Sequence, residues 1–430
     1  MVSNVAPSAI SSLLACLAAC MLLSVAPASA ENTPSTWPTW HGLNRDGRSP
    51  ETGLLKAWPE GGPQKLWAVT NGLGYGESSV SIYDGLIYAT GLQHEGTNYS
   101  EAFGNIWLTA LDMDGKIKWS KDVGPAYVGN HVFQGARATP TCDDGNVYLL
   151  RGLGTLGCYD AKTGKTKWER DIGKDFKSHK IRWMFSESVM ILDDRVIVTP
   201  GGTNSFMVAL NKKNGKTVWE SGPFGGAHYS SPIYAEYEGI PMIINGGAEG
   251  IAGVHADTGK ILWTNDFAAG SMANCPTPVF AEGHVFWAVG YGKNGICIKL
   301  SVNGEDVTAT EAWRTKDINT QYGGYVYHDG YLYGNNNYQW ACLDFKTGEL
   351  MWKAAGVKKG SICYADGMLY LYGISKGHTM LVPATPKAFK PTGEFKVELR
   401  GRPSRPHPVI EGGRLYLRFQ EKLYCYDIKD

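Results

Sequence analysis

At eight points along the chain a polar or charged side chain stands just ahead of a short apolar run. They are Glu77 in "GLGYGESSV", Arg137 in "QGARATPTC", Glu187 in "RWMFSESVM", His228 in "GAHYSSPIY", Asn274 in "MANCPTPVF", Gln321 in "NTQYGGYVY", Lys359 in "KKGSICYAD" and His407 in "SRPHPVI". Brought to one opening, these groups would clasp a small zwitterionic, sugar-like or quinone ligand, or calcium through Glu77, Glu187 and Asn274. Trp183, beside Arg182, adds an aromatic face against which a flat ring or a sugar could rest, and Tyr229 and Tyr322 extend that surface. The competing reading for each residue is mutual pairing or hydration in a watered channel.

Other chemistries fail on pattern. There is no C-x-x-C, H-E-x-x-H or C-x-x-C-H, which leaves out a redox pair, a zincin site and attached haem. His228-Tyr229-Ser230-Ser231 pairs a base with hydroxyls but lacks the G-x-S-x-G elbow. The glycine-rich "GGAEGIAGVHADTGK" has no helix after it to cradle a phosphate. Lys plus Arg and Asp plus Glu both number 41, so no basic field points to nucleic acid.

The elements that must position these residues are set by two alternating signatures. The first is an Asp-Gly-type hairpin, as in "DGLIYAT", "DGNVYLL" and "DGMLYLY", where glycine accepts the positive φ of the turn. The second is the phrase "CYDAKTGKTKW" and its relatives, which end at Trp119, Trp168, Trp219, Trp263, Trp313 and Trp352 with spacings of 49, 51, 44, 50 and 39 residues. Such a period suits a unit of four short strands. Cys158, Cys342 and Cys425 share one register in three copies and read as small buried filler, and Asp160, Asp344 and Asp427 recur as turn residues. Counting from Ser78, Ala138, Glu187, Ser230, Thr277, Gly324, Ser361 and Pro408 gives eight units. The seventh uses "GEFKVEL" as its last strand, and the eighth stops after "KLYCYDIKD" with its fourth strand missing. Upstream, "PQKLWAV" is an orphan strand of the missing type. The expectation is an all-β, eight-bladed β-propeller of four-stranded antiparallel blades over residues 64–430, closed by Gln64–Val69 pairing beside Leu423–Tyr426. Closure would bury the edges that an open solenoid exposes.

Residues 1–30 are apolar and end in Ala28-Ser29-Ala30, the pattern of a cleaved secretory signal, so the protein is expected to be exported to the periplasm or beyond. Leu17-Ala18-Ala19-Cys20 offers an alternative, lipid anchoring at Cys20, and no later stretch is long enough to span a membrane. Residues 31–63, rich in Pro, Gly and Trp, read as an irregular lead-in lying across the side or rim of the ring, and "QHEGTNYSEAFGNIW" as a surface loop.

"YDAKTGKTKW" and its relatives resemble the quinoprotein propeller repeat, which the bacterial alcohol and glucose dehydrogenases that use pyrroloquinoline quinone share with non-enzymatic eight-bladed proteins such as the lipoprotein scaffold of the outer-membrane barrel assembly machine. The lead-in "WPTWHGLNRDGRSPETGL" resembles exported single-domain members of this superfamily. For the enzymes the resemblance implies a neighbouring Cys-Cys pair over the cofactor, an aspartate base, and calcium held by glutamate, asparagine and aspartate. This sequence has no adjacent cysteines. The expectation is therefore an exported binding or scaffold protein without catalysis or cofactor of its own, meeting another envelope protein through its rim loops. The alternatives are a divergent quinone-dependent sugar or alcohol dehydrogenase with calcium, and a carbohydrate-binding propeller.

Overall fold

The computed structural model describes residues 37–94, 104–126, 136–397 and 403–430, all within one unit, Pro34–Asp430. The expected signal segment, Cys20 and the centre of the "QHEGTNYSEAFGNIW" insertion lie outside the described residues; its ends extend two paired strands, Leu86–His94 and Gly104–Asp112.

Eight sheets follow one another along the described chain, seven antiparallel with four strands and one mixed with five. Their innermost strands are Ser81–Tyr83, Thr141–Asp143, Met190–Leu192, Ile233–Tyr237, Val279–Ala281, Tyr325–His328, Gly360–Ala365 and Val409–Glu411, the inner strands of blades 1 to 8. The eighth blade takes its outer strand from the N-terminal side: Lys65–Val69 pairs antiparallel with Lys422–Asp427, Trp67 opposite Cys425 and Val69 opposite Leu423. Gly393–Lys396 is the outer strand of blade 7, as read from "GEFKVEL".

Each inner strand turns into the next through two residues, and Asp84 (φ 49°) with Gly85 (φ 70°) shows the pattern of two left-handed positions in succession. That backbone matches the twist of a tight hairpin, which is why Asp-Gly recurs there. At the other end of every blade but blade 7, whose outer strand carries no tryptophan, one residue bulges from the outer strand immediately before its tryptophan: pairing shifts between Thr166 and Trp168, and again between Lys65 and Trp67. The bulge re-aims the indole toward the following blade. Trp168 donates its indole N–H to the Lys212 carbonyl at 3.0 Å, Trp119 to Ala161 at 3.1 Å and Trp67 to Met113 at 3.0 Å, each across a blade junction. The turn glycine of the receiving blade fits against the ring; a Cβ on Gly215 would lie 2.9 Å from Trp168. Beneath each tryptophan the facing position is small: Cys158, Cys297, Cys342 and Cys425, or Ala110, Ala209 and Gly253. The three recurrent cysteines are buried, and among the described residues seven cysteines are free thiols.

The lead-in does not lie on the side or rim of the ring at its start. Residues 37–49, "WPTWHGLNRDGRS", occupy the ring axis and reach every blade. Ile82 N donates to Trp37 O and Cys142 N to Pro38 O, both at 2.8 Å, joining blades 1 and 2. Arg45 donates to Ser188 O (2.6 Å) and Val189 O (3.0 Å) just ahead of blade 3, and to Pro232 O (2.7 Å) ahead of blade 4. Trp40 Nε1 donates to Thr277 Oγ1 at 2.9 Å beside blade 5, Arg48 approaches His328 Nδ1 of blade 6 at 3.5 Å, and His41 meets His407 beside blade 8 at 3.0 Å. Arg48–Ser49 adds a parallel fifth strand to blade 7, opposite Tyr364 and Ala365. The physical reason is that the inner strands leave unpaired backbone groups around the axis, and a coiled segment with several φ-positive residues satisfies them. The chain then runs outward between blades 7 and 8, where Leu55 N donates to Ile428 O (2.9 Å) and Trp58 packs edge-on against Phe395.

Candidate functional site

The axial segment divides the ring's channel. On the face where the chain runs into each inner strand lies a cavity of about 130 Å³, with Trp40 and His41 at its floor and Glu77, Arg137, Trp183, Tyr229, Tyr291, Tyr322, Arg405 and His407 around it. Ser186, Ser188, Ser231 and Thr277 supply hydroxyls, and Cys275 a thiol. On the opposite face a separate hollow of about 580 Å³ is lined by Leu43, Asn44, Asp46, Arg48 and the hairpin ends of the blades.

The floor is a hydrogen-bonded imidazole pair. His407 Nε2 stands 2.8 Å from the Tyr322 carbonyl, which can only accept, so that nitrogen carries the proton; His407 Nδ1 then accepts from His41 Nε2. Burial holds both rings neutral, lowering His407 to about 4 and His41 well below its ordinary value. Trp40 stacks on His41 with centroids 4.2 Å apart. In the wall, the Glu77 carboxylate forms an ion pair with Arg405 and accepts from Tyr75 at 3.2 Å. Arg137 donates to the carbonyls of Trp183 and Phe185. Arg405 and Lys359 both stand over the Tyr322 ring, at 5.2 and 4.4 Å from its centroid. The Cys275 thiol is pushed up to about 12 by burial.

Of the candidates read from the sequence, Glu77, Arg137, Trp183 and His407 line this cavity, with Tyr229 and Tyr322. Lys359 and Gln321 sit behind Tyr322, hydrogen-bonded to each other. Three others turn away. Glu187 is buried and accepts from Thr199 N at 3.1 and 3.2 Å, burial raising its carboxyl to about 8 against the opposing pull of Arg45. Asn274 donates to Gly247 O at 2.8 Å, and His228 Nδ1 accepts from Asn274 N at 3.1 Å while lining a neighbouring cleft. The proposed calcium set of Glu77, Glu187 and Asn274 is therefore not assembled in the cavity. Sequence reading passed over Trp40, His41, Tyr291 and Arg405. Arg405 had a signal: it stands two residues before His407, on the same side of an extended segment. Trp40 and His41 had none, because no repeat contains them.

Comparison with known proteins places this geometry. Residues 104–354 match the family model described as outer membrane protein assembly factor BamB. The chain belongs to this BamB-type, PQQ-like propeller family. The propeller is 27% identical over 258 residues to the outer membrane protein assembly factor BamB of Alteromonas naphthalenivorans, which covers 55% of this chain and 58% of that protein. It is 25% identical over 259 residues to the quinoprotein alcohol dehydrogenase PedH of Pseudomonas putida, covering 56% of this chain and 38% of that protein. The chain thus spans well under two thirds of these relatives. The crystal structure of BamB from Moraxella catarrhalis superposes with a TM-score of 0.60 at 13% identity, covering 85% of this chain and all of that one, a likeness of fold alone. Membership in the family leaves open whether this propeller catalyses or binds. Among the described residues no helix is long and apolar enough to cross a membrane.

Proposed function

We propose that this is an exported propeller that binds without transforming, with the axial cavity as its small-molecule site and the rim loops as its surface for an envelope protein. The observation that carries the reading is the resting state of the cavity's acid, imidazoles and thiol. Glu77 is tied to Arg405, His41 and His407 are poor proton acceptors, and Cys275 stays protonated. A general base or nucleophile needs a pKa close to working pH, and burial moves both imidazoles and the thiol away from it. Aromatic walls, guanidiniums and hydroxyls remain, which orient a ligand.

A quinone with calcium is the group that the dehydrogenase branch of the family implies, and the residues present do not fit the pair. Glu77 is engaged by a guanidinium, Glu187 and Asn274 lie outside the cavity, and among the described residues no three His, Cys, Asp or Glu are grouped to hold a metal. Export is supported by the Ala28-Ser29-Ala30 signal pattern, with anchoring at Cys20 as its variant. An envelope partner is supported by the matched family's description as an outer-membrane assembly factor.

Calorimetry on the mature protein with small carboxylates, saccharides and pyrroloquinoline quinone with calcium tests the site. Saturable binding that Tyr291→Ala weakens is expected, with no dye reduction by the quinone-loaded protein over an alcohol and sugar panel. Dye reduction would replace this reading with the dehydrogenase one. Crosslinking in the envelope fraction tests the partner: an absence of any reproducible adduct at the rim loops removes it.

A further inference from the structure

The axial cavity does not stand alone on its face. Between blades 3 and 4 a cleft of about 320 Å³ is lined by His179, Lys180, Arg182, His228, Glu249 and Met272, and Tyr229 belongs to both hollows. Tyr229 and Trp183 form the saddle between them, with ring centroids 5.9 Å apart, and the Arg182 guanidinium stands 5.0 Å from the Trp183 ring. His228 stacks on Tyr229 at 5.4 Å, and burial lowers it to about 4, so it meets a ligand as a neutral ring.

We propose that the two hollows are subsites for one elongated ligand, an acidic oligosaccharide of uronate type; this rests on reading the axial cavity as a binding site. Three features converge on that class. Aromatic rings on several sides of the cavity suit the C–H face of a pyranose. Hydroxyls suit its polar edge: Ser186 lines the cavity, and Ser188, Ser231 and Thr277, which accept from Thr139 N, Ser188 N and Trp40 Nε1, each keep an O–H to donate. The charges sum to one net positive in each hollow: Arg137 and Arg405 against Glu77 in the cavity, Lys180 and Arg182 against Glu249 in the cleft. An aromatic acid would use the rings and the charge but leave the hydroxyls idle, and a bare phosphate would leave the rings idle. A sugar acid engages all three, and a chain of them places one negative charge in each hollow. The smaller cavity takes the terminal ring, and the larger cleft takes the residues that follow.

The test is calorimetry with galacturonate and its linear dimer to tetramer, beside glucose oligomers of equal length, on the mature protein. Affinity for the uronates is expected to rise at least about tenfold from one residue to three and to fall with added salt, as exposed ionic attraction does. The Lys180→Ala/Arg182→Ala double variant, both exposed positions, should erase the gain with length while leaving the monomer unaffected. Tyr291→Ala should weaken the monomer about fivefold, the scale of one lost ring contact. Equal binding of neutral and acidic oligomers overturns the charge assignment, and an affinity independent of length overturns the second subsite. Binding of benzoate-type acids with no saccharide bound overturns the sugar class while the axial binding site stands. If no saccharide, carboxylate or quinone binds, the binding reading falls and this proposal with it.

Discussion

Arg45 shows how much one side chain can organise. It is almost wholly buried, yet its guanidinium is satisfied by carbonyls of Ser188, Val189 and Pro232 and by Thr39 Oγ1 at 2.9 Å, while burial pulls its pKa down to about 10. Arg45→Met strips those acceptors of their donor and is expected to cost about 3 to 5 kcal/mol in denaturant unfolding, the scale for breaking a buried charged network. The neighbouring titrations set opposite limbs of a stability profile. His407 has a folded pKa of about 4, below its ordinary value, so the unfolded chain binds more protons in between and stability falls as pH drops from about 6.5 toward 4. Glu187 runs the other way: raised to about 8, it is protonated in the native state where the unfolded chain is ionised, so stability falls as pH climbs from about 4.5 to 8. Melting measured across that range should show Glu187→Gln flattening the alkaline limb and leaving the acid limb in place.

At the scale of the element, the recurrent unit is a blade plus the tryptophan clasp that hands it to the next blade. The clasp has three parts: a bulge that aims the indole, a glycine that admits the ring, and a carbonyl that takes its N–H. The junction from blade 4 to blade 5 lacks both the glycine contact and the acceptor, and the outer strand of blade 7 carries no tryptophan. Blade 5 joins its two outer strands through the tight Asn303–Asp306 turn in place of the longer Thr-Gly loop, and the buried Trp263 Nε1 finds no acceptor. Removing an indole N–H should therefore cost different amounts at different junctions. Trp168→Phe is expected to lose about 1 kcal/mol more than Trp263→Phe, the net worth of a buried hydrogen bond, in matched urea titrations. Gly215→Ala tests the glycine: φ is 70° there and a Cβ would sit 2.9 Å from Trp168, so a loss of about 1 to 3 kcal/mol is expected.

Across the whole molecule the N-terminal part of the propeller does two separate jobs. Lys65–Val69 closes the ring by completing blade 8, and the buried Arg418 reinforces that seam by donating to Ser78 Oγ at 2.7 Å in the run-in to blade 1. Residues 37–49 fill the axis and floor the cavity. Truncations should separate these roles. A chain starting at Pro59 keeps the closing strand and is expected to fold to an eight-bladed ring of lower melting temperature whose axial ligand binding is lost. A chain starting at Thr70 leaves blade 8 three-stranded with an exposed edge and is expected to aggregate, as scattering would report. Retained ligand affinity in the first truncation would show that Trp40 and His41 are not the floor of the site.

The order of strands, the number of blades and the closing pairing were legible because each rests on short-range signals repeated many times. Asp-Gly demands a left-handed turn, a small residue must lie under each tryptophan, and a surplus strand at one end matches a deficit at the other. The run-in residues were legible as a set, since an inner strand's first residues must approach the axis. Which of them share a cavity was not. Glu77 and Glu187 stand one position out of register: set by the inner strands Ser81–Tyr83 and Met190–Leu192, Glu77 shares its place with Ser186, which lines the cavity, while Glu187 shares its place with Ser78 and turns to the Thr199 backbone N–H. One residue decides the side to which a side chain turns, and in the irregular run-ins no strand period fixes it; the guanidinium that pairs with Glu77, Arg405, also lies at the far end of the chain. The axial segment was the hardest case. It occurs once, so no repeat announces it, and its place is set by unpaired groups on eight strands that share an axis only after the ring has closed. Local turn and packing chemistry, written in every repeat, made the frame; the floor, the charge pairing and the two-chambered axis came from contacts that exist only in the closed ring.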